Sequence, residues 1–204
     1  DGYPVIYYAL RAFEESDVHE IVLVTAPEDV AFCRKNIVEK YGFRKVCAVV
    51  GGGEERYLSV YEGLKVTEAE YVLIHDGARP LIDEESIRLC MESVAREKAC
   101  VLATPVKDTS KVIDTDGYAA QTPDRSMLWA VQTPQWFGRV LLMRAYARLF
   151  ERLEAGTLCA PITDDAMIVE QMTGQKVRLI RGKYTNIKIT TPEDMDVAKI
   201  FLNR

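Results

Sequence analysis

Tyr71-Val72-Leu73-Ile74-His75-Asp76-Gly77-Ala78-Arg79-Pro80 is the stretch on which the fold turns. Its first four residues suit a buried strand, which runs into His75, Asp76 and a turn carrying Arg79 and Pro80. In an open α/β sheet, ligands bind just beyond the carboxyl ends of the strands. A carboxylate placed there can hold a hard cation, and an arginine three residues on can clamp a phosphate. The competing reading makes Asp76 a turn cap and Arg79 one half of a surface ion pair. The surrounding sequence decides between the two.

Upstream, residues 45–50 read as a strand that Gly51, Gly52 and Gly53 break before a helix over about 54–65. Residues 20–25 read as a short buried strand, followed by a helix led by Pro27. Before it, Val5, Tyr8, Ala9, Ala12 and Phe13 fall at helical spacing within 4–15. Downstream come a helix over about 83–97 and a strand over 100–106. Strands alternating with helices imply right-handed crossovers and a mostly parallel α/β sheet.

Residues 107–132 interrupt that rhythm. Lys111-Val112-Ile113-Asp114, the turn Thr115-Asp116-Gly117 and the segment 118–121 spell a β-hairpin, with Trp129 and Val131 left to pack elsewhere. A projecting hairpin arm of this kind suits a dimer contact better than a free flap. Helices over about 138–154 and 164–173, strands over 176–181 and 185–189, and a helix starting at Pro192 complete a single domain over 1–204. The chain opens at Asp1-Gly2 with no strand ahead of the first helix, and it holds no Gly-x-Gly-x-x-Gly or Gly-x-x-x-x-Gly-Lys loop. The expectation is therefore that an N-terminal strand and its glycine-rich loop lie outside these residues.

Composition narrows the class. Hydrophobic residues make up 48% of the 204 and charged residues 28%, ordinary values for a globular protein. No run approaches the ~18 apolar residues of a membrane span, which argues against membrane insertion. The net charge of −5 argues against a broad nucleic-acid-binding face. Cys33, Cys47, Cys90, Cys100 and Cys159 are scattered and odd in number, as expected of reduced thiols, mostly packed as small hydrophobes, in a cytoplasm.

Further polar groups gather where strands should end. Lys107, Thr109 and Lys111 lie at the base of the arm, and Asp124 and Arg125 on it. Asn186 and Lys188 share one face of the expected 185–189 strand. A lysine in such an apolar strand needs an anionic partner. Thr163 reads either as the N-cap of the 164–173 helix or as a ligand contact, and His75 alone reads as a core histidine. Acids for a metal, scattered Arg and Lys, and no evident nucleophile or base fit phosphoryl or nucleotidyl transfer, whose catalysis is positioning and charge stabilisation. An acceptor that is itself a phosphate monoester is largely ionised near neutrality, so no general base is required. No Gly-x-Ser-x-Gly elbow supports a serine hydrolase.

Taken in order, Gly52-Gly53-Glu54-Glu55-Arg56 with Ser59, His75 to Pro80, Pro105-Val106-Lys107-Asp108-Thr109, Thr122-Pro123-Asp124-Arg125, Leu128-Trp129, Gln132-Thr133-Pro134-Gln135, Thr163-Asp164-Asp165-Ala166 and Asn186-Ile187-Lys188-Ile189-Thr190 resemble the 2-C-methyl-D-erythritol 4-phosphate cytidylyltransferase family. The resemblance implies a three-layer, Rossmann-like fold of the nucleotide-diphospho-sugar transferase type. It implies transfer of CMP from CTP to the 4-phosphate of methylerythritol phosphate, with Mg²⁺, in non-mevalonate isoprenoid biosynthesis in a bacterial cytoplasm. It assigns Gly52, Gly53, Glu54, Ser59, Asp76 and Gly77 to CTP, with Asp76 also facing the metal. It assigns Asp76, Arg79, Thr109, Arg125, Thr133, Thr163 and Lys188 to the substrate, with Arg125 and Lys188 positioning the attacking phosphate. The arm would reach across a homodimer, so that each site borrows Thr109 and Arg125 from its partner. The alternatives are a cytidylyltransferase for another polyol phosphate, such as ribitol 5-phosphate, and a non-catalytic nucleotide-binding homologue.

Overall fold

A computed structural model of the chain describes residues 2–158 and 160–202. The expectation for Cys159 lies outside them. Among the described residues fifteen α-helices and β-strands follow the order read from the sequence, with three short 3₁₀ or π turns between them and without the expected 185–189 strand.

The first half holds α1 (Val5–Glu15), β1 (Ile21–Thr25), a 3₁₀ turn at Pro27–Asp29, α2 (Val30–Cys33), a π turn at Arg34–Glu39, β2 (Val46–Gly51), α3 (Arg56–Leu64), β3 (Tyr71–Ile74) and α4 (Glu84–Glu97). The second half holds β4 (Ala99–Pro105), β5 (Val112–Ile113), β6 (Ala119–Gln121), β7 (Trp129–Gly138), α5 (Arg139–Glu154), α6 (Asp165–Thr173), β8 (Arg178–Arg181) and α7 (Pro192–Leu202). α1 forms because Ala9, Leu10 and Phe13 face one way into the core. α4 starts where Asp83 accepts a bond from the Ser86 amide at 2.8 Å, and it stops at Lys98, whose φ is +64°.

The principal sheet is mixed, with β3, β4 and β8 pointing one way and β7 the other. Its order is β3-β7-β4-β8, with β7 antiparallel to both neighbours and β4 parallel to β8. The physical reason lies in the interruption at 107–132: the chain returns from β5 and β6 through one 3₁₀ turn at Arg125–Met127 into a ten-residue strand, without a crossover α-helix to reverse it. β4 and β7 are covered on both faces, and alternation sorts their side chains. Ala99, Val101 and Phe137 join α5 and α6 residues such as Leu142 and Ile168 in one cluster. Cys100, Leu102 and Trp136 join α1 and α4 residues such as Phe13 and Ile87 in the other.

β1 and β2 pair in parallel as a separate two-stranded sheet. Between β1 and β3 lies a cavity of about 970 Å³, walled by strand residues such as Leu23 and Leu73 and by Ile6 and Phe13 of α1. Among the described residues, β1 pairs only with β2 and β3 only with β7. β5 and β6 form an exposed antiparallel ribbon apart from both sheets.

One expectation needs correction. Residues 185–189 form no strand; they are an irregular segment, because side chains and a neighbouring loop take its backbone bonds. Arg79 Nη1 donates to the Asn186 carbonyl at 2.8 Å, and the Ile189 amide donates to the Ala78 carbonyl at 2.8 Å. Among the described cysteines only Cys47, exposed on β2, departs from packing as a small hydrophobe; Cys90 and Cys100 are buried, and Cys33 packs half-buried against the cluster of Leu10, Ile37 and Phe43. Among the described residues no helix is long and apolar enough to cross a membrane.

Candidate active site

β3 ends at Ile74, and the four residues after it build the site from two directions. The Asp76 amide donates to Thr133 Oγ1 at 3.0 Å, which ties the turn to β7. The Arg79 amide donates to the Asp76 carbonyl at 2.9 Å and closes the turn. A Cβ on Gly77 would stand 2.6 Å from Ile6 Cδ1, the end of a flexible side chain that would have to turn aside.

His75 is held neutral. Its Nε2 faces the Arg79 carbonyl at 3.0 Å and its Nδ1 faces Thr133 Oγ1 at 3.2 Å. With the Thr133 oxygen already accepting from Asp76, its hydroxyl proton goes to Nδ1, and Nε2 carries the ring proton to the carbonyl. Burial pushes the imidazole pKa down to about 4, against a smaller upward pull from the Arg79 carbonyl. It is a core histidine, with its ring edge-on to Phe13.

Asp76 is the anionic centre. Arg56 Nε approaches Oδ1 at 3.1 Å and Lys188 Nζ approaches Oδ2 at 2.9 Å. Burial alone would raise the Asp76 pKa, but the hydrogen bond to Lys188 and the charges of Arg56 and Lys188 outweigh it and hold the carboxyl below its ordinary value. The lysine that required an anion has this one. Arg79 adds a third cation. Its Nη1 is bonded to the Asn186 carbonyl, while its buried Nε has no hydrogen-bond partner, and burial lowers its pKa. Asn186, itself buried, donates from Nδ2 to the Thr133 carbonyl at 2.9 Å and leaves Oδ1 unpartnered.

A second wall comes from the turn after β2. The Gly53 amide donates to Ser59 Oγ at 3.2 Å. A Cβ on Gly52 would stand 2.5 Å from the same oxygen, and one on Gly53 2.5 Å from Leu58 Cβ. These glycines let the turn pack close against α3, with the Gly52 amide donating to the Thr25 carbonyl at 2.7 Å and the Gly53 amide to Ser59. Glu54 is exposed at the rim.

The structure thus unites Asp76, Gly77, Arg79, Thr133 and Lys188, with Gly52, Gly53 and Ser59 forming a turn of their own. Thr163, Thr109 and Arg125 stand apart. Thr163 is exposed and turns its hydroxyl to Met167 Sδ at 3.5 Å. The N-cap of α6 is Asp164, whose Oδ1 accepts from the Met167 amide at 2.9 Å, because a carboxylate at that position outcompetes the preceding threonine. Thr109 is exposed in the loop before β5, and Arg125 donates to the Lys107 carbonyl at 2.7 Å. No contact among the described residues joins either to Asp76.

Sequence reasoning quoted Arg56 and Asp165 but gave neither a role, and it overlooked Tyr146. Arg56 Nη1 donates to Asp165 Oδ2 at 2.7 Å, and Tyr146 Oη donates to Asp165 Oδ1 at 2.8 Å. The available signal was an aspartate at the second acid of a helix start that already had a cap in the first.

A sequence profile of the 2-C-methyl-D-erythritol 4-phosphate cytidylyltransferase family matches residues 1–204. Among curated relatives, the enzyme of that name from Lachnospira eligens is 50% identical over 204 residues, covering 99% of this chain and 88% of the relative. That from Caldanaerobacter subterraneus is 46% identical over 206 residues, covering 100% and 88%. Among solved structures, the 4-diphosphocytidyl-2C-methyl-D-erythritol synthase of Anaerococcus prevotii superposes with a TM-score of 0.87 at 35% identity, covering 100% of this chain and 87% of the other. The cytidylyltransferase of Thermus thermophilus does so at 0.77 and 27% identity, covering 100% and 90%.

Proposed function

The chain belongs to the 2-C-methyl-D-erythritol 4-phosphate cytidylyltransferase family, a family of nucleotidyltransferases, and from that premise we propose that it transfers CMP from CTP to the 4-phosphate of methylerythritol phosphate, releasing pyrophosphate. The observation that carries this reading is the cation excess at the end of β3. Arg56, Arg79 and Lys188 gather about Asp76, and with Asp165, which Arg56 also holds, three cations face two carboxylates, while the Arg79 Nε is unpartnered. Clustered, partly exposed cations in excess of their anions suit phosphate groups.

The same cluster supports roles for the chain's own side chains. The turn of Gly52, Gly53 and Ser59 offers backbone and hydroxyl groups to a cytosine, with Glu54 at its rim. Lys188 is 41% exposed and reaches Asp76 through a single contact, so it can swing to a phosphate without dismantling the core. Thr133 and Arg79 fix the turn, and Thr163 borders the cap of α6. With His75 neutral and bonded on both sides, deprotonation of the acceptor is left to its own ionisation.

Magnesium fits this donor set. Mg²⁺ is bound through one or two carboxylates together with substrate phosphates. Asp76 supplies one carboxylate, and no group of three metal-ligating side chains occurs among the described residues. Asp76 would hold the ion, which supplies charge neutralisation to the triphosphate when bound.

The reading extends to the assembly. Thr109 and Arg125 lie away from Asp76 within one chain, and the β5–β6 ribbon exposes Val112, Ile113 and Tyr118. These features support a homodimer in which the ribbon acts as an arm completing the partner's site. Free, partly exposed Cys33 and Cys47 suit a reducing cytoplasm. The cavity between β1 and β3, with a strand edge unpaired among the described residues on either side, suits one further extended segment completing a continuous sheet within a three-layer fold.

The test is pyrophosphate release from CTP and Mg²⁺ with methylerythritol phosphate and ribitol 5-phosphate as separate acceptors. Release with the first alone is the expected result. Release with ribitol 5-phosphate alone would move the acceptor assignment to another polyol, and release with neither would overturn the transferase reading.

A further inference from the structure

Arg56 stands at the first position of α3 and bridges two carboxylates that come from distant parts of the chain. Its Nε meets Asp76 Oδ1 at 3.1 Å, and its Nη1 meets Asp165 Oδ2 at 2.7 Å. The Asp165 side chain has 0% exposure, and its second oxygen accepts a hydrogen bond from the buried Tyr146 hydroxyl. Burial pushes the Asp165 carboxyl up, and Arg56 pulls it back.

The placement of Asp165 is itself over-determined. Gln135, buried in β7, donates from Nε2 to Asp164 Oδ2 at 2.8 Å and accepts the Ala166 amide on Oε1 at 3.0 Å. Two residues before it, Thr133 accepts the Asp76 amide. One strand therefore fixes the helix start that carries Asp165 and the turn that carries Asp76, and Arg56 spans the gap between them.

A buried ion pair of this kind is a weak source of stability, since apolar groups of similar volume hold a fold at least as well. It is a strong source of orientation. A guanidinium presents two donors in a rigid fork, which an ammonium cannot do. We infer that Asp165 and Tyr146 act through Arg56 as positioning residues for Asp76, keeping Oδ1 engaged so that Oδ2, now held by Lys188, stays turned to the substrate side. The inference rests on the reading of Asp76 as the carboxylate that meets Mg²⁺ and CTP.

The test is a double-variant cycle read by calorimetric titration of CTP in the presence of Mg²⁺, with melting temperatures measured alongside. The proteins are the wild type, Asp76→Asn, Asp165→Asn and the double variant, with Arg56→Lys as an independent break that keeps the charge and loses the bridge. Partners that orient a metal-binding carboxylate typically change affinity 10–100-fold when removed. Asp165→Asn and Arg56→Lys should each weaken binding at least about tenfold in the wild type. Each should add less than about twofold in the Asp76→Asn background, within the spread of independent effects. Equal weakening in both backgrounds, as general structural damage would give, or no weakening in the wild type, overturns the relay. Unchanged binding in Asp76→Asn would instead overturn the reading of Asp76, and the relay with it.

Discussion

Asp76 and His75 are adjacent, yet the fold sends them to opposite fates: one keeps its charge by taking two cations, the other stays neutral by taking two neutral partners. That contrast has a measurable consequence. The His75 pKa falls from an ordinary 6.5 to about 4 in the fold. Between those values the unfolded chain binds a proton that the folded chain refuses, so stability is fully present above pH 6.5 and declines as pH falls to about 4. The loss amounts to at most about 3 kcal/mol. Urea unfolding across this window should show the decline, and His75→Gln should flatten it; parallel slopes for both proteins would contradict the burial of a neutral imidazole. Asp76 is held low, so its contribution is present above its ordinary value of 3.8 and fades only at still lower pH. At this scale the sequence was informative where the chemistry is local. His75 read as a core histidine, and Lys188 read as needing an anion. Arg56 did not read, because its second partner lies 109 residues away and nothing local marks the pairing.

β7 does the work at the level of elements. It lies between β3 and β4, its side chains feed both apolar clusters, and Thr133 and Gln135 tie the site to it. Helices with a clear apolar stripe and short apolar strands were legible to within a residue or two. β7 was only half legible: the residues closing it were seen, but nothing in them says that they run antiparallel through the middle of a sheet. The 185–189 segment misled because alternating apolar and polar residues suit a strand, whereas Asn186 spends its amide on Gln132 and Thr133 instead. The cap of α6 gives a second prediction. Asp164→Ala should cost about 1 kcal/mol in urea unfolding, the usual worth of an N-cap. Thr163→Ala, which removes only a bond to a sulfur, should cost markedly less. Equal losses would put the cap at Thr163.

For the whole molecule, the position of Arg125 relative to Lys188 is the feature that sequence order alone does not give. Within one chain they do not meet. If the ribbon of one subunit completes the site of the other, Arg125→Ala mixed with Lys188→Ala should recover up to about a quarter of wild-type sites, since each mixed dimer assembles one intact site and random pairing makes half the dimers mixed. Subunit exchange without recovery of pyrophosphate release would contradict shared sites. The cavity beside β1 shows a similar limit: among the described residues, the strand edges that face it are visible only once the strands are placed.

The account stands or falls on the cation cluster around Asp76. The most direct measurement is pyrophosphate release from CTP, Mg²⁺ and methylerythritol phosphate by Lys188→Ala, with its melting temperature beside that of the wild type. Lys188 is partly exposed and Asp76 keeps Arg56 in the variant, so the fold should survive. The account predicts a melting temperature close to wild type with turnover lower by at least about 100-fold, the scale for one charge-stabilising donor. Turnover near the wild-type rate would contradict it.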